Sequence, residues 1–458
     1  MRRKLYAMGI ILTMSVGALA GCSGAGNQAG ETKTPAKTEA DSKSSSKNVK
    51  LRFLTFGLED QYNWKETIAG FKADNPNIDV EVVLLSEKGD SSEASQKLDL
   101  AAASGETMDV VMFSNPTDYS KRASLGMLAN LDSFISKDGY NLSNEYKVNT
   151  KLSNGAFGLP GKFNPWYVLL NKDHLDAAGL PVPKDWTWDQ FADYAKKLTT
   201  DKHKGAYFHG PQNGAWFEYL RLFMANQTEN GDLIKADGTS NINSPLFRKT
   251  LEFRLKMEKE DKSVVPLADL LTQKLNYRTQ FFNQSASMIP IGSWMNTSIG
   301  GEEKNPLAFH VAVAPFPKNK EGDPTGVTPV TADYIAVAES SKNKQEAYNF
   351  VRWYTTKGLS KYGKNIPSWN GIKPEELTAI VDKAVAGTQH PELVDKSSLV
   401  YSLQVSKAGD LNPPPSYQSE VYKAVQQEFE SLVLGKNDLD TTIKNMQTKV
   451  DKIISNNK

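Results

Sequence analysis

The sequence predicts an α/β protein built on a mainly parallel, helix-covered sheet. One observation is the alternation of strand-like and helix-like periodicity, β-α-β-α-β, over residues 51–113 with short connections. Another is size: about 410 residues follow residue 48, enough for two lobes of ordinary dimensions. A third is that no segment of that body offers the roughly 20 consecutive apolar residues of a membrane span.

The first element precedes the body. Met1-Arg2-Arg3-Lys4 is basic, the run from about Leu5 to Ala20 is apolar, and Leu19-Ala20-Gly21-Cys22 ends on the only cysteine of the chain. Charged head, apolar middle and small residues before a cut are the layout of a secretory signal. The last four residues resemble a bacterial lipobox, whose cysteine carries lipid after cleavage. The alternative is an ordinary signal with a chance cysteine. Residues 1–22 are thus expected to be a lipoprotein signal and Cys22 the lipid attachment. Residues 23–48 carry almost only Gly, Ser, Thr, Ala, Lys, Glu and Gln, and bury nothing to offset ordering entropy. They read as a flexible linker spanning on the order of 30 Å.

The body opens with the strand-like run Leu51–Phe56. A helix-period stretch follows, with Trp64, Ile68 and Phe71 on one face, stopped by Asn75-Pro76. Ile78, Val80, Val82 and Leu84 alternate as a strand. A small-residue helix runs from about Ser92 to Ala103, and Met108–Phe113 reads as a buried strand. Ligands of such sheets bind beyond the carboxyl ends of the strands, here Phe56–Glu59 and Phe113–Pro116. Neither strand is followed by a phosphate-binding glycine motif, so a nucleotide is not indicated.

From Leu152 the pattern changes. Gly158-Leu159-Pro160-Gly161 reads as a turn-rich break. Lys162–Asn171 reads as an exposed aromatic loop leading into a strand. Thr187-Trp188-Asp189-Gln190 fits a capping box, and Ser244-Pro245 an N-cap with proline at N1. Short strands are expected at Ser287–Ile291, Val311–Ala314 and Tyr334–Ala338, and helices from about Lys344 to Thr355 and through the C-terminus.

The bulk composition excludes some functions. With 54 basic and 53 acidic residues, the chain lacks the basic surplus of a nucleic-acid binder. Five histidines form no zinc spacing, no G-x-S-x-G occurs, and no cofactor is indicated. Eight Trp, 17 Tyr and 19 Phe fit a ligand with apolar faces and many hydroxyls, such as a sugar, although aromatics also fill cores.

The chain resembles the extracellular solute-binding proteins, family 1, of carbohydrate ABC importers, the maltose-binding-protein-like group. The matching pieces include the lipobox, Phe71-Lys-Ala-Asp-Asn-Pro76, Met108-Asp-Val-Val111, Gly158-Leu-Pro160, Leu169-Leu-Asn-Lys-Asp173, Ala178-Gly-Leu-Pro181, Thr187–Phe191, Asn243-Ser-Pro245, Met288–Trp294 and Val313–Pro317. The resemblance implies a two-lobed periplasmic-binding-protein-like fold of type II, with a hinge and the ligand in the cleft. Residues 49–160 plus 308–345 would form lobe I, and 161–307 plus 346–458 lobe II. It implies a monomer without catalysis, anchored by lipid on the outer face of the cell membrane, in a Gram-positive-type envelope. Its partners would be a sugar and the membrane permease; the several aromatics suggest an oligosaccharide rather than a monosaccharide. The alternatives are a surface lipoprotein for sensing or adhesion, or a secreted glycoside hydrolase using two positioned carboxylates.

A sugar site needs flat aromatic platforms and planar polar groups. Trp294 is the first candidate, against the bland reading of a core tryptophan. One of Trp166 and Tyr167 is expected in the cleft and the other in the core. Trp216 and Trp369 are further aromatic candidates, each with a core alternative. The polar candidates are Glu59, Asn115, Asn164 and Asp333, with Tyr334 beside the last. Trp64, Trp188 and Trp353 are assigned to the core.

Overall fold

The computed structural model describes residues 48–208, 219–409 and 414–457. The signal, Cys22, the linker as far as residue 47, and Trp216 lie outside the described residues. β1 (Val49–Thr55) lies between β2 (Ile78–Leu84) and β3 (Val110–Phe113) and pairs with both in parallel, with Phe53 opposite Val82 and Val110. The intervening helices are Trp64–Asp74 and Ser91–Ala103. The first buries Trp64 and Phe71, and the Trp64 ring meets Phe53 edge-on at 5.2 Å. The second starts at Asp90, whose side chain accepts from the Glu93 amide. A third helix, Pro116–Ser124, begins at Asn115 in the same way, with proline at N1.

Beyond this point chain order and sheet order part. The remaining strands are β4 (Lys151–Leu152), β5 (Gly155–Ala156), β6 (Gly158–Asn171), β7 (Lys204–Ala206), β8 (Ala286–Gly292), β9 (Val311–Pro315), β10 (Val327–Thr328), β11 (Val330–Val337) and β12 (Lys407–Ala408). The main sheet runs β2-β1-β3-β11-β6-β8-β7, with β9 also on β6. β11 is antiparallel to β3 and β6, and β6 is antiparallel to β8 and β9. The sheet is therefore mixed, which corrects the mainly parallel expectation. The parallel rule holds for β1–β3, which are joined by helical crossovers. β11 returns after a long excursion through other strands, and nothing in that connection enforces parallel pairing.

β6 joins the two halves. Up to Pro165 it pairs with β11, and from Trp166 it pairs with β8 and β9. All 14 of its residues are buried, so the run from Gly158 to Trp166 is neither a turn nor an exposed loop. Extended pairing supplies the backbone hydrogen bonds that a turn would otherwise need to make, and it accommodates Pro160 and Gly161 beside Tyr334 and Ile335. The change of partners falls at Pro165/Trp166 rather than at 160/161.

The helix Lys344–Trp353 packs on the first strands. Tyr348, Phe350 and Val351 join the cluster of Leu51, Phe53, Phe71 and Ile335, and Phe350 meets Phe53 at 5.5 Å. Its apolar stripe covers β1. The chain stays with the first half as far as Asn370, whose amide donates to the Glu145 carbonyl. On the other half, Trp188, Phe191, Leu220, Phe429 and Val433 share one core. It includes residues of the long helices Gln418–Val433 and Leu439–Asn456. The capping box at Thr187 and Gln190 forms as the sequence expects. Trp64, Trp188 and Trp353 are buried at 4%, 0% and 8% exposure.

Candidate functional site

The ends of β1 and β3 open onto a cleft of about 370 Å³, within the usual range for small-molecule sites of roughly 300–1,000 Å³. β1 delivers Phe56 and β3 delivers Ser114 and Asn115. β6 contributes Lys162 and Asn164, β11 contributes Thr331 and Asp333, and the far wall is Asn276–Arg278 with Trp294 and Thr297. Lys162 and Asn164 line the cleft from β6, and Thr331 and Asp333 from β11, around an irregularity in the ladder between Ala332 and Tyr334. Asn164 lies opposite Thr331 in the ladder. Elements from both halves of the sheet thus meet around one space.

Its floor is charged. Asp333 is 1% and Lys162 7% exposed. The Lys162 ammonium lies 3.6 Å from Asp333 Oδ2, and Tyr62 Oη donates to the same oxygen at 2.8 Å. Lys162 also donates to Tyr62 Oη and lies over its ring. Burial pushes the Asp333 carboxyl up and the Lys162 ammonium down, while each charge works to keep the other ionised. Burial also raises the Tyr62 hydroxyl, with the Asp333 charge adding to it. Asp333 Oδ1 is buried and accepts no hydrogen bond. A buried carboxylate oxygen left so is costly unless a donor reaches it. The residue lines the cleft, while this oxygen itself is closed to solvent.

The wall is aromatic. Trp294 follows β8 in the short 3-10 helix Ser293–Thr297 and is half-buried. Its ring lies across Gly292, where a Cβ would come within 1.9 Å of a ring carbon. Gly292 is therefore needed for close approach, not for backbone conformation. Trp166 meets the ring edge-on at 5.5 Å and 84°.

The cleft brings together Trp294, Asn115, Asn164 and Asp333 of the sequence candidates. Asn115 also caps its helix, accepting from the Asp118 amide at 2.8 Å. The other described candidates sit elsewhere. Trp166 (1% exposed) and Tyr167 (0%) both belong to the core, because this half of β6 has strands on both edges and packing on both faces. Trp166 backs Trp294, and Tyr167 donates to Asn296 Oδ1 at 2.8 Å. Tyr334 points away from Asp333, as alternation requires, and stacks on Tyr119 at 4.9 Å. Glu59 is exposed and takes the Lys65 amide. Trp369 donates to Glu145 Oε1 at 2.9 Å, fastening its loop to the helix Leu142–Glu145.

Sequence reasoning missed Lys162, Tyr62, Asn276, Arg278, Thr331 and Asn365. Lys162 had a signal, since it is a lone lysine in the apolar run Leu159–Leu170. Arg278 had none, because it lies in an ordinary polar helix start. A second hollow of about 500 Å³ lies between Ser120, Ser124, the β4–β5 turn, Ile234 and Pro414–Ser416. Its described lining offers no aromatic face, so the aromatic-walled cleft is the better candidate. Among the described residues there is no group of three or more His, Cys, Asp or Glu placed to hold a metal.

A family model described as bacterial extracellular solute-binding protein matches residues 57–360. The chain belongs to that family, which makes it a binding protein rather than an enzyme. No curated protein sequence matches it significantly. Among solved structures, a sugar transporter protein from Rhizobium etli in an open conformation is similar at TM-score 0.67 and 20% identity, over 88% of this chain and 99% of that one. An ABC substrate-binding protein from Listeria monocytogenes in complex with cycloalternan gives 0.67 and 22%, over 89% and 99%. The maltose-bound MalE3 of T. maritima gives 0.65 and 19%, over 88% and 99%. These likenesses establish the two-lobed α/β binding-protein fold. No helix among the described residues is long and apolar enough to cross a membrane.

Proposed function

We propose that this protein is the substrate-binding lipoprotein of an ABC importer, taking a saccharide into the cleft and delivering it to the membrane permease. One observation carries the reading: a half-buried tryptophan ring, Trp294, shares a cleft with a buried carboxylate oxygen that lacks a donor, on Asp333. A sugar presents an apolar C–H face to the first and hydroxyl donors to the second. Phe56, Asn115, Asn164 and Lys162 complete the lining. The ligands named for similar structures, from D-mannitol and α-D-tagatose to maltose, maltotriose and cycloalternan, support the class, and the several aromatics of the chain favour an oligosaccharide.

We place lobe I at residues 49–165 and 329–370, and lobe II at the intervening and following segments, with crossings at Pro165/Trp166, Thr328/Pro329 and after Asn370. Closure is hinge motion, driven by contacts the sugar makes with both lobes. The protein works as a monomer. Lipid on Cys22 and the linker hold it at the outer face of the cell membrane, which raises its concentration at the permease. A thermal-shift screen against mono- and oligosaccharides tests the ligand class, since a ligand that binds only the folded state raises the melting temperature. Release of a Cys22→Ala variant from the membrane fraction tests the anchor. A panel without any shift, or unchanged membrane association of that variant, would refute the corresponding part.

A further inference from the structure

The charges on the cleft lining do not cancel. The described lining carries three cations, Lys88, Lys162 and Arg278, against two carboxylates, Asp90 and Asp333. Asp333 is matched by Lys162 at 3.6 Å. Asp90 is engaged at its own helix start, accepting from the Glu93 amide at 2.8 Å. Arg278 is the cation on the far wall. Among the described residues its guanidinium forms an ion pair with Glu302 Oε1, 3.8 Å from Nε and beyond hydrogen-bond distance. That oxygen already receives Asn305 Nδ2 at 2.8 Å. Arg278 Nε is buried and has no hydrogen-bond partner. The guanidinium lies over the Tyr277 ring, 4.9 Å from its centroid, which holds the planar fork in place without using its donors. Burial depresses the Lys162 ammonium, and the Arg278 charge adds to that effect, so the two cations sense each other across the cleft. A ligand anion facing Arg278 would supply the acceptor that its guanidinium lacks.

We propose that the saccharide carried by this cleft bears an oxyanion, a uronate carboxylate or a phosphate, and that Arg278 receives it. The inference rests on the sugar-binding reading and deepens it. Hydroxyls supply Asp333 Oδ1, and the oxyanion takes two parallel N–H donors from the guanidinium, a geometry that both carboxylate and phosphate accept. The lysine pair on the floor stays internally balanced, so selectivity falls to Arg278.

The test is titration calorimetry of the purified protein with matched probes: glucose, glucuronic acid and glucose 6-phosphate, then maltotriose and trigalacturonic acid. The expected result is binding of an acidic probe at least tenfold tighter than its neutral counterpart. The uronate and phosphate arms separate the two oxyanions. Raising NaCl from 50 to 500 mM should weaken the acidic probe several-fold and leave a neutral probe unaffected. The Arg278→Gln variant should reduce the acidic-to-neutral ratio at least tenfold, and the salt series on the unmodified protein stands even if that variant misfolds. Binding of neutral probes with no preference for acidic ones overturns this proposal and leaves the sugar reading intact. Absence of binding by every saccharide overturns the sugar reading, and this proposal with it.

Discussion

Replacing Asp333 with asparagine isolates the charge that organises the cleft floor. The substitution keeps shape and removes the carboxylate paired with Lys162, in a site where the two residues are 1% and 7% exposed. Breaking a buried pair from one side usually costs about 3–5 kcal/mol, because the remaining charge is buried alone. Lys162 has an escape, since it can lose its proton. From an ordinary pKa of about 10.4, neutrality at pH 7 costs about 4.6 kcal/mol, and any depression by burial lowers that ceiling. The expected loss at pH 7 is therefore about 3–4 kcal/mol, read by urea unfolding of the variant beside the parent. The sign of the pH dependence follows. Burial already depresses Lys162 in the parent, and without Asp333 its folded-state pKa falls further, so the variant's folded state binds fewer protons than the parent's. The deficit then shrinks as pH rises from the variant's folded pKa to the parent's, both below the ordinary lysine value of about 10.4. A loss under about 1 kcal/mol at pH 7, within the range of an exposed pair, would refute the reasoning. So would a deficit that is the same at pH 7 and pH 10.

Tyr62→Phe removes the donor to Asp333 and the acceptor for Lys162 and should cost about 1–3 kcal/mol in the same unfolding assay; an unchanged midpoint contradicts the three-residue network. Gly292→Ala should fold, because its backbone is ordinary extended (φ −83°), yet it should displace the Trp294 ring; changed tryptophan emission with weakened sugar binding is expected, and parental behaviour in both contradicts the close approach. His174 and His203 stack at 3.9 Å and share the Ser287 hydroxyl at 2.9 and 3.2 Å. Burial lowers both pKa values, with the neighbouring His203 adding to the effect on His174 and Lys202 to that on His203. Their contribution is thus complete above the unfolded value of about 6.5 and is lost as pH falls through it towards the folded values. Melting temperatures from pH 8 to 5 should decline less steeply for His203→Gln than for the parent, and identical slopes would exclude the pair as the cause.

The first lobe was largely legible because its signals are local. Alternation marked β2, helical spacing placed Trp64 and Phe71, and a capping residue sits where each helix Ser91–Ala103 and Pro116–Ser124 begins. The same logic placed Asn115 at a strand end. What failed depended on long-range pairing. Gly158-Leu-Pro-Gly161 has the composition of a turn, and only the arrival of β11 from far along the chain makes it a strand. Trp166 and Tyr167 alternate in direction, so one seemed bound to face the cleft. Packing of β6 on both faces leaves neither open, and no local pattern announces that. The helix Lys344–Trp353 shows an apolar stripe in sequence, but a stripe does not say which sheet it covers.

The central claim is that Trp294 and Asp333 form one saccharide site. Titration calorimetry of a sugar panel against the parent and Trp294→Ala tests it most directly. The ring stands at the cleft wall, and losing its buried apolar face should cost about 1.5–3 kcal/mol of binding, roughly a ten- to hundredfold rise in Kd. The account predicts that at least one saccharide binds the parent and binds the variant that much more weakly. A saccharide that binds both with equal affinity would contradict it.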